Sequence, residues 1–171
     1  MFLSLILLLL VISVPVILLL ALMPRTAMQQ QCSDFCGLMF AHRGLWFGEE
    51  IPENSIAAFQ RAVNRGFAIE LDVQLTKDNE AVIFHDNSLR RMCGTDGRIR
   101  DLTREQLRAL RLNGSAETIP SLSEVLTLVA GRVPLLIELK SHHTDTKICS
   151  VVTDLLQDYK GKYCIESFSP F

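Results

Sequence analysis

The sequence predicts an α/β protein built on a largely parallel sheet and preceded by one long apolar helix. Three observations carry this reading. Short apolar runs alternate with helix-period segments along residues 38–168. Several charged side chains fall inside those apolar runs or at their C-terminal ends. The stretch from Phe2 to Met23 holds no charged side chain at all.

The chain has 171 residues, 17 basic and 19 acidic, with a formal charge of −2. That balance offers no basic surface and excludes a nucleic-acid partner. The run from Phe2 to Met23 is long enough to cross a bilayer core as a helix. Pro15 would kink it, which membrane helices tolerate. A cleaved signal peptide would need a basic n-region and a shorter apolar core. Residues 1–23 are therefore expected to be a transmembrane anchor and residues 24–37 a polar linker. Arg25 follows the run and no Lys or Arg precedes it. The positive-inside rule then puts the following domain on the cytoplasmic side. Cys32, Cys36, Cys93, Cys149 and Cys164 are odd in number and scattered, which fits a reducing compartment. Cys32 and Cys36 read as linker thiols.

From residue 38 a short apolar strand ends in His42-Arg43-Gly44. After a loop, Asn54 or Ser55 is the expected N-cap of a helix. Ile56, Phe59, Ala62 and Val63 recur there at helical spacing, and Gly66 stops it. Residues 67–76 alternate as a strand. Ile69, Leu71, Val73 and Leu75 face one way, and Glu70, Asp72 and Gln74 the other. Taken alone, this acid pair is either a solvated outer face or a place that holds a cation. Residues 81–84 form another short strand, ending in His85-Asp86. Only residues 76–80 separate it from the strand before, so this unit lacks a crossover helix.

Residues 87–102 read as a loop, with Gly94, Asp96 and Gly97 marking turns. Thr103 with Gln106, and Ser121 with Glu124, have capping-box spacing. The first opens a helix to about Leu112. The second opens one that buries Val125, Leu128 and Val129 and ends at Gly131. Residues 133–139 are the most apolar strand; it contains Glu138 and leads into Lys140. Residues 144–160 carry a helical stripe of Ile148, Val151, Val152, Leu155 and Leu156. A last strand spans residues 163–168, which makes five in all.

His42, Glu70, Asp72, His85, Glu138 and Lys140 all lie within or at the C-terminal ends of apolar strands. In a parallel β/α barrel those ends converge on one mouth. Buried carboxylates and lysines are costly unless they are paired or bound to a metal. Each residue has an ordinary explanation by itself. His42 could be a core or surface histidine, His85 a turn residue, Arg43 a carboxylate partner, and Glu138 with Lys140 an ion pair. Their joint placement suits a metal-assisted reaction on an anion. His142 and His143 read as surface residues. Trp46 and Phe47 either rim the mouth or pack beside it.

At these residues the sequence resembles the glycerophosphodiester phosphodiesterase family. The matching pieces are His42-Arg43-Gly44, Pro52-Glu53-Asn54-Ser55 with Ala58-Phe59, and Glu70-Leu71-Asp72-Val73. Further pieces are Thr76-Lys77-Asp78, His85-Asp86 with Leu89-Arg90-Arg91, Ile119-Pro120-Ser121-Leu122, and Glu138-Leu139-Lys140. The resemblance covers residues 38–171, with the motifs in order.

It implies a TIM-type (β/α) barrel that hydrolyses a glycerophosphodiester to glycerol 3-phosphate and an alcohol. It also implies that Glu70, Asp72 and Glu138 bind a divalent metal, and that His42 and His85 are the acid/base pair. Arg43 and Lys140 would hold the phosphate. Hard oxygen ligands suit Mg²⁺ or Ca²⁺, and histidine as a residue type exchanges protons near neutral pH. Which histidine is acid and which is base stays open.

A complete barrel has eight strands in about 250 residues. With five strands, residues 38–171 are expected to form an incomplete barrel domain, poorly stable and weakly active alone. The expected function is metal-dependent glycerophosphodiester hydrolysis at a membrane, in phospholipid turnover. The alternatives are a phospholipase D-like or lysophospholipase D-like barrel enzyme, or a non-catalytic membrane-tethered binding module.

Overall fold

A computed structural model describes residues 11–20, 33–141 and 146–168. The chain divides into two compact units, Met1–Gly37 and Leu38–Phe171. In the first unit, residues 11–20 are helical and Ser33–Phe35 form one 3₁₀ turn. Among the described residues, no helix is long and apolar enough to cross a membrane. This corrects the expectation of a single-pass membrane protein with a cytoplasmic catalytic domain, and of the membrane as a partner. The rest of the expected anchor and linker (residues 1–10 and 21–32, with Cys32) lies outside the described residues. So do His142, His143 and the expected helix start at residues 144–145.

The second unit is built on one five-stranded sheet. Its strands are β1 (Phe40–Ala41), β2 (Ala68–Leu75), β3 (Ala81–Ile83), β4 (Leu135–Leu139) and β5 (Tyr163–Glu166). Strands β1, β2, β4 and β5 are parallel neighbours in that order. The expectation of five barrel strands needs correction at β3, which runs antiparallel to β2 and pairs with Val73–Leu75. A parallel return needs a crossover of a dozen or more residues. The link at residues 76–80 is too short for one, so the chain turns back as a hairpin.

The helices that cover the sheet start where their caps dictate. Helix α1 (Ile56–Asn64) begins at Ser55, whose hydroxyl accepts the Ala58 N–H. It is followed by Gly66 at φ +72°, a left-handed position that glycine takes without strain. The segment expected to be loop holds a short helix, α2 (Arg90–Cys93), and a 3₁₀ turn at Ile99–Asp101. Both capping boxes form, at Thr103 before α3 (Arg104–Arg108) and at Ser121 before α4 (Leu122–Val129). Helix α3 is shorter than its periodicity suggests, because a separate 3₁₀ turn takes over at Leu112–Gly114. Helix α5 is Lys147–Leu156.

Alternation along β2 sorts its side chains into two environments. Ile69, Leu71 and Val73 pack with Phe59 of α1, Val125 of α4 and Val152 of α5 in the main core. Each fully buried side chain of this kind contributes about 1.5–3 kcal/mol. A second cluster, including Phe84, Leu89, Met92, Ile99 and Leu107, supports the segment beyond β3. The opposite face of β2 is left for Glu70, Asp72 and Gln74, as expected. On the outer strand β5, Tyr163 and Ile165 are exposed.

Candidate active site

Strand register puts the acids in a row. Asp72 of β2 pairs with Glu138 of β4, which pairs with Glu166 of β5. In parallel strands, paired residues point to the same face, so three carboxylates share one level. Glu70 shares the face, two residues back along β2. Glu70, Glu138 and Glu166 each bring a carboxylate oxygen within 4.8 Å of the others. Glu70 and Glu138 are buried, and Asp72 is fully so. Burial and the neighbouring charges of Asp72 and Glu138 push the Glu70 carboxyl up to about 7.

Cations and an amide meet this row at Asp72. The Asn54 side-chain amide donates to Asp72 Oδ2 at 2.9 Å, and Arg43 Nε lies 3.5 Å from the same oxygen. Lys140 Nζ is 3.1 Å from Asp72 Oδ1 and donates to Glu138 Oε1 at 2.6 Å. Burial pulls the Lys140 ammonium down, but its hydrogen bonds to Glu138 and Asp72 outweigh that and hold it above its ordinary value. The buried Asp72 Oδ1 still accepts no well-aligned hydrogen bond.

His42 and Arg43 sit on a turn just past β1. Arg43 has φ +58° and Gly44 φ +82°. A Cβ on Gly44 would lie 2.9 Å from Ala58 Cβ and 3.1 Å from the Ala58 carbonyl carbon. Only glycine lets this turn press against α1. The Arg43 N–H then donates to Glu70 Oε2 at 2.8 Å, and the Arg43 carbonyl accepts the Asn54 N–H at 2.8 Å. The His42 side chain is 70% exposed, with Nε2 3.9 Å from Glu70 Oε2.

His85 reaches the site by another route. The buried Gln74 amide donates to the carbonyls of Phe84, His85 and Asp86, at 2.8, 3.3 and 2.9 Å. This pins the backbone after β3. The His85 ring contacts Asp86, with Nδ1 2.8 Å from Oδ1. Arg91 of α2 donates to both Asp86 oxygens, at 2.6 and 2.9 Å. It also donates to both Glu53 oxygens, at 3.2 and 2.6 Å. Glu53 in turn accepts from Arg43 Nη1 at 2.9 Å. The Arg91 hydrogen bonds hold Asp86 at about 2, well below the usual carboxylate range.

Six of the seven residues expected from sequence lie on or beside this face, and His85 is tied to it through Asp86, Arg91, Glu53 and Arg43. Glu70, Asp72, Glu138, Arg43 and Lys140 form one contact network, and His42 borders it at Glu70. Sequence reasoning missed Glu166, although an acid ending an apolar strand was its own criterion. It also missed Glu53, Asn54, Gln74, Asp86 and Arg91 as site residues. Trp46 and Phe47 are exposed, with the Arg61 guanidinium 5.4 Å from the Phe47 ring centre.

The donor set fits a hard divalent cation. It is all carboxylate oxygen, the preference of Mg²⁺ and Ca²⁺. Among the described residues, the four acids Glu70, Asp72, Glu138 and Glu166 meet the cations Arg43 and Lys140, with His42 bordering Glu70, so acids outnumber cations in this row. Concentrating that charge in a buried place is costly without a counter-ion.

Known proteins share this arrangement of motifs and fold. A glycerophosphodiester phosphodiesterase of Caldanaerobacter subterraneus is 41% identical over 112 residues, covering 61% of this chain and 45% of that protein. A lysophospholipase D of Rattus norvegicus is 31% identical over 153 residues, covering 82% of this chain and 47% of that one. Among solved structures, an Oleispira antarctica phosphodiesterase in complex with the product sn-glycerol-3-phosphate superposes with a TM-score of 0.72 and 28% identity. The match covers 80% of this chain and 60% of that chain. A glycerophosphodiester phosphodiesterase from Thermotoga maritima gives a TM-score of 0.65 at 30% identity, covering 77% and 54%. These neighbours have the TIM-barrel fold, and the chain spans about half the length of the curated relatives it matches. The family model of glycerophosphoryl diester phosphodiesterases matches residues 42–163, from the turn that carries His42 to the first residue of β5, and the chain belongs to that family.

Proposed function

We propose that residues 38–171 are part of a TIM-type barrel that hydrolyses glycerophosphodiesters to glycerol 3-phosphate and an alcohol, with a divalent metal. The observation that carries this reading is the row of buried carboxylates at the strand ends, with two cations and two histidine-bearing turns beside it. Glu70, Asp72 and Glu138 are the proposed metal ligands, for Mg²⁺ or Ca²⁺. A cation held there supplies Lewis-acid withdrawal of charge from the phosphoryl oxygens.

The chain's own residues do the rest. Arg43 and Lys140 offer charged donors to phosphate oxygens, where charge grows as the bond to the leaving group breaks. His42 and His85 move the proton, one taking it from the attacking oxygen and the other giving it to the leaving oxygen. Asn54 and Arg43 hold Asp72 from one side and Lys140 from the other, which keeps the carboxylate row in place.

A second reading is lysophospholipid headgroup cleavage, favoured by the similarity to the Rattus norvegicus lysophospholipase D. The two differ in what occupies the glycerol end: a free hydroxyl or an acyl chain. Turnover of glycerophosphocholine and of lysophosphatidylcholine by the full-length protein separates them. Faster release of glycerol 3-phosphate from the former is expected. Preference for the acylated substrate would replace the first reading with the second, and turnover of neither would overturn both.

A further inference from the structure

Arg91 touches none of the acids in the row, yet it joins two turns that do the proposed chemistry. It donates to both oxygens of Asp86 and both oxygens of Glu53. Asp86 contacts the His85 ring, and Glu53 holds the Arg43 guanidinium. The sequence separation between Arg91 and Glu53 is 38 residues, so the link is tertiary. An isolated ion pair at a surface contributes little. Here one guanidinium makes two paired, charge-assisted contacts, the geometry in which arginine specifies position as well as charge.

We propose that Arg91 is a positioning residue for His85: by anchoring Asp86 as an ionised acceptor, it sets which ring nitrogen of His85 exchanges the proton. An ionised carboxylate only accepts hydrogen bonds. The contact at 2.8 Å is therefore Nδ1–H donating to Asp86 Oδ1, which leaves Nε2 to give or take the single proton of the step. Asp86 and Arg91 exchange none. Arg91's hydrogen bonds hold the Asp86 carboxyl at about 2, so it remains ionised at neutral pH. Gln74 fixes the backbone of the same segment. Within this segment, backbone and ring are thus held by different groups, Gln74 the backbone and Arg91, through Asp86, the ring.

The inference rests on the reading of His85 as an acid/base group, and its test has an arm that does not. In the full-length protein, the imidazole ¹⁵N resonances of His85, assigned with His85→Gln, report the tautomer at neutral pH. Wild type is expected to show Nδ1–H. Asp86→Asn can turn its amide N–H toward Nδ1 and is expected to shift the ring toward Nε2–H. Arg91→Ala is expected to give a mixture of tautomers, and Arg91→Lys, which lacks the fork, an intermediate one.

On glycerophosphocholine, Arg91→Ala and Asp86→Asn are expected to lower kcat about 10–100-fold and leave KM nearly unchanged. An unchanged tautomer in Arg91→Ala overturns the proposal, whether or not activity falls, because a loss of activity alone would be structural. If Arg91→Ala does not fold, Arg91→Lys decides, and an unchanged tautomer there overturns the proposal likewise. If wild type turns over neither glycerophosphodiester nor lysophospholipid, the functional reading fails while the tautomer still settles what Arg91 does.

Discussion

Replacing His85 with alanine in the full-length protein is expected to lower kcat/KM on glycerophosphocholine by about 10²–10⁴-fold. The size follows from the loss of one proton-transfer group. The ring is not part of either hydrophobic core, and its side chain is 32% exposed. The urea midpoint should therefore barely move, within about 0.5 kcal/mol. His42→Ala is expected to behave alike, because that side chain is more exposed still. A loss of activity matched by a large loss of stability would mean that the histidines are structural. Activity near wild type in both variants would remove them from the mechanism.

The second large effect concerns Glu70 and pH. Its carboxyl is raised from 4.5 to about 7, by burial first and then by Asp72 and Glu138. A raised carboxyl means that the folded chain binds a proton more tightly than the unfolded chain. The stability this gives is fully present below about pH 4.5 and is lost as pH rises to about 7. In protein stripped of metal, the loss across that window is expected to reach about 3 kcal/mol at most. Asp86 and Glu53 are lowered, so their contributions are present above their unfolded values and lost as pH falls below them, on the acid side of this window.

Glu70→Gln should flatten the slope between pH 5 and 7, since the amide cannot ionise. Added Mg²⁺ or Ca²⁺ should displace the proton, so apparent metal affinity is expected to rise by up to about tenfold per pH unit below pH 7. Chemical denaturation at several pH values, with and without metal, measures both. A metal-free stability that rises from pH 5 to 7 would contradict the placement of Glu70 in a crowded, buried acid row.

The site was legible wherever a charged side chain sits on an apolar strand, because such a placement has few inexpensive explanations. Glu70, Asp72, Glu138 and Lys140 came from that logic and meet in one network. Glu166 obeys the same logic, but its strand is short and half-exposed and lacks the unbroken apolar run of β4. Gln74 was assigned to the acid face by alternation. Nothing local says that its amide would meet three carbonyls ten to twelve residues away. Glu53, Asn54 and Arg91 lie outside the strands and acquire their roles only through distant partners.

The fold was legible in its element order and caps, which depend on near neighbours. The direction of β3 turned on the length of one link, and a short helix was hidden just before the turn at Gly94. The membrane expectation rested on hydropathy alone, and among the described residues no helix is long and apolar enough to cross a bilayer.

The most direct measurement is glycerol 3-phosphate release from glycerophosphocholine by the full-length protein. It should be made with Mg²⁺ or Ca²⁺, after chelation, and in a Glu138→Gln variant. Activity that is lost on chelation, returns with added metal and is severely reduced in the variant is the predicted result. Turnover that survives both chelation and Glu138→Gln would contradict the carboxylate row as the working centre of the enzyme.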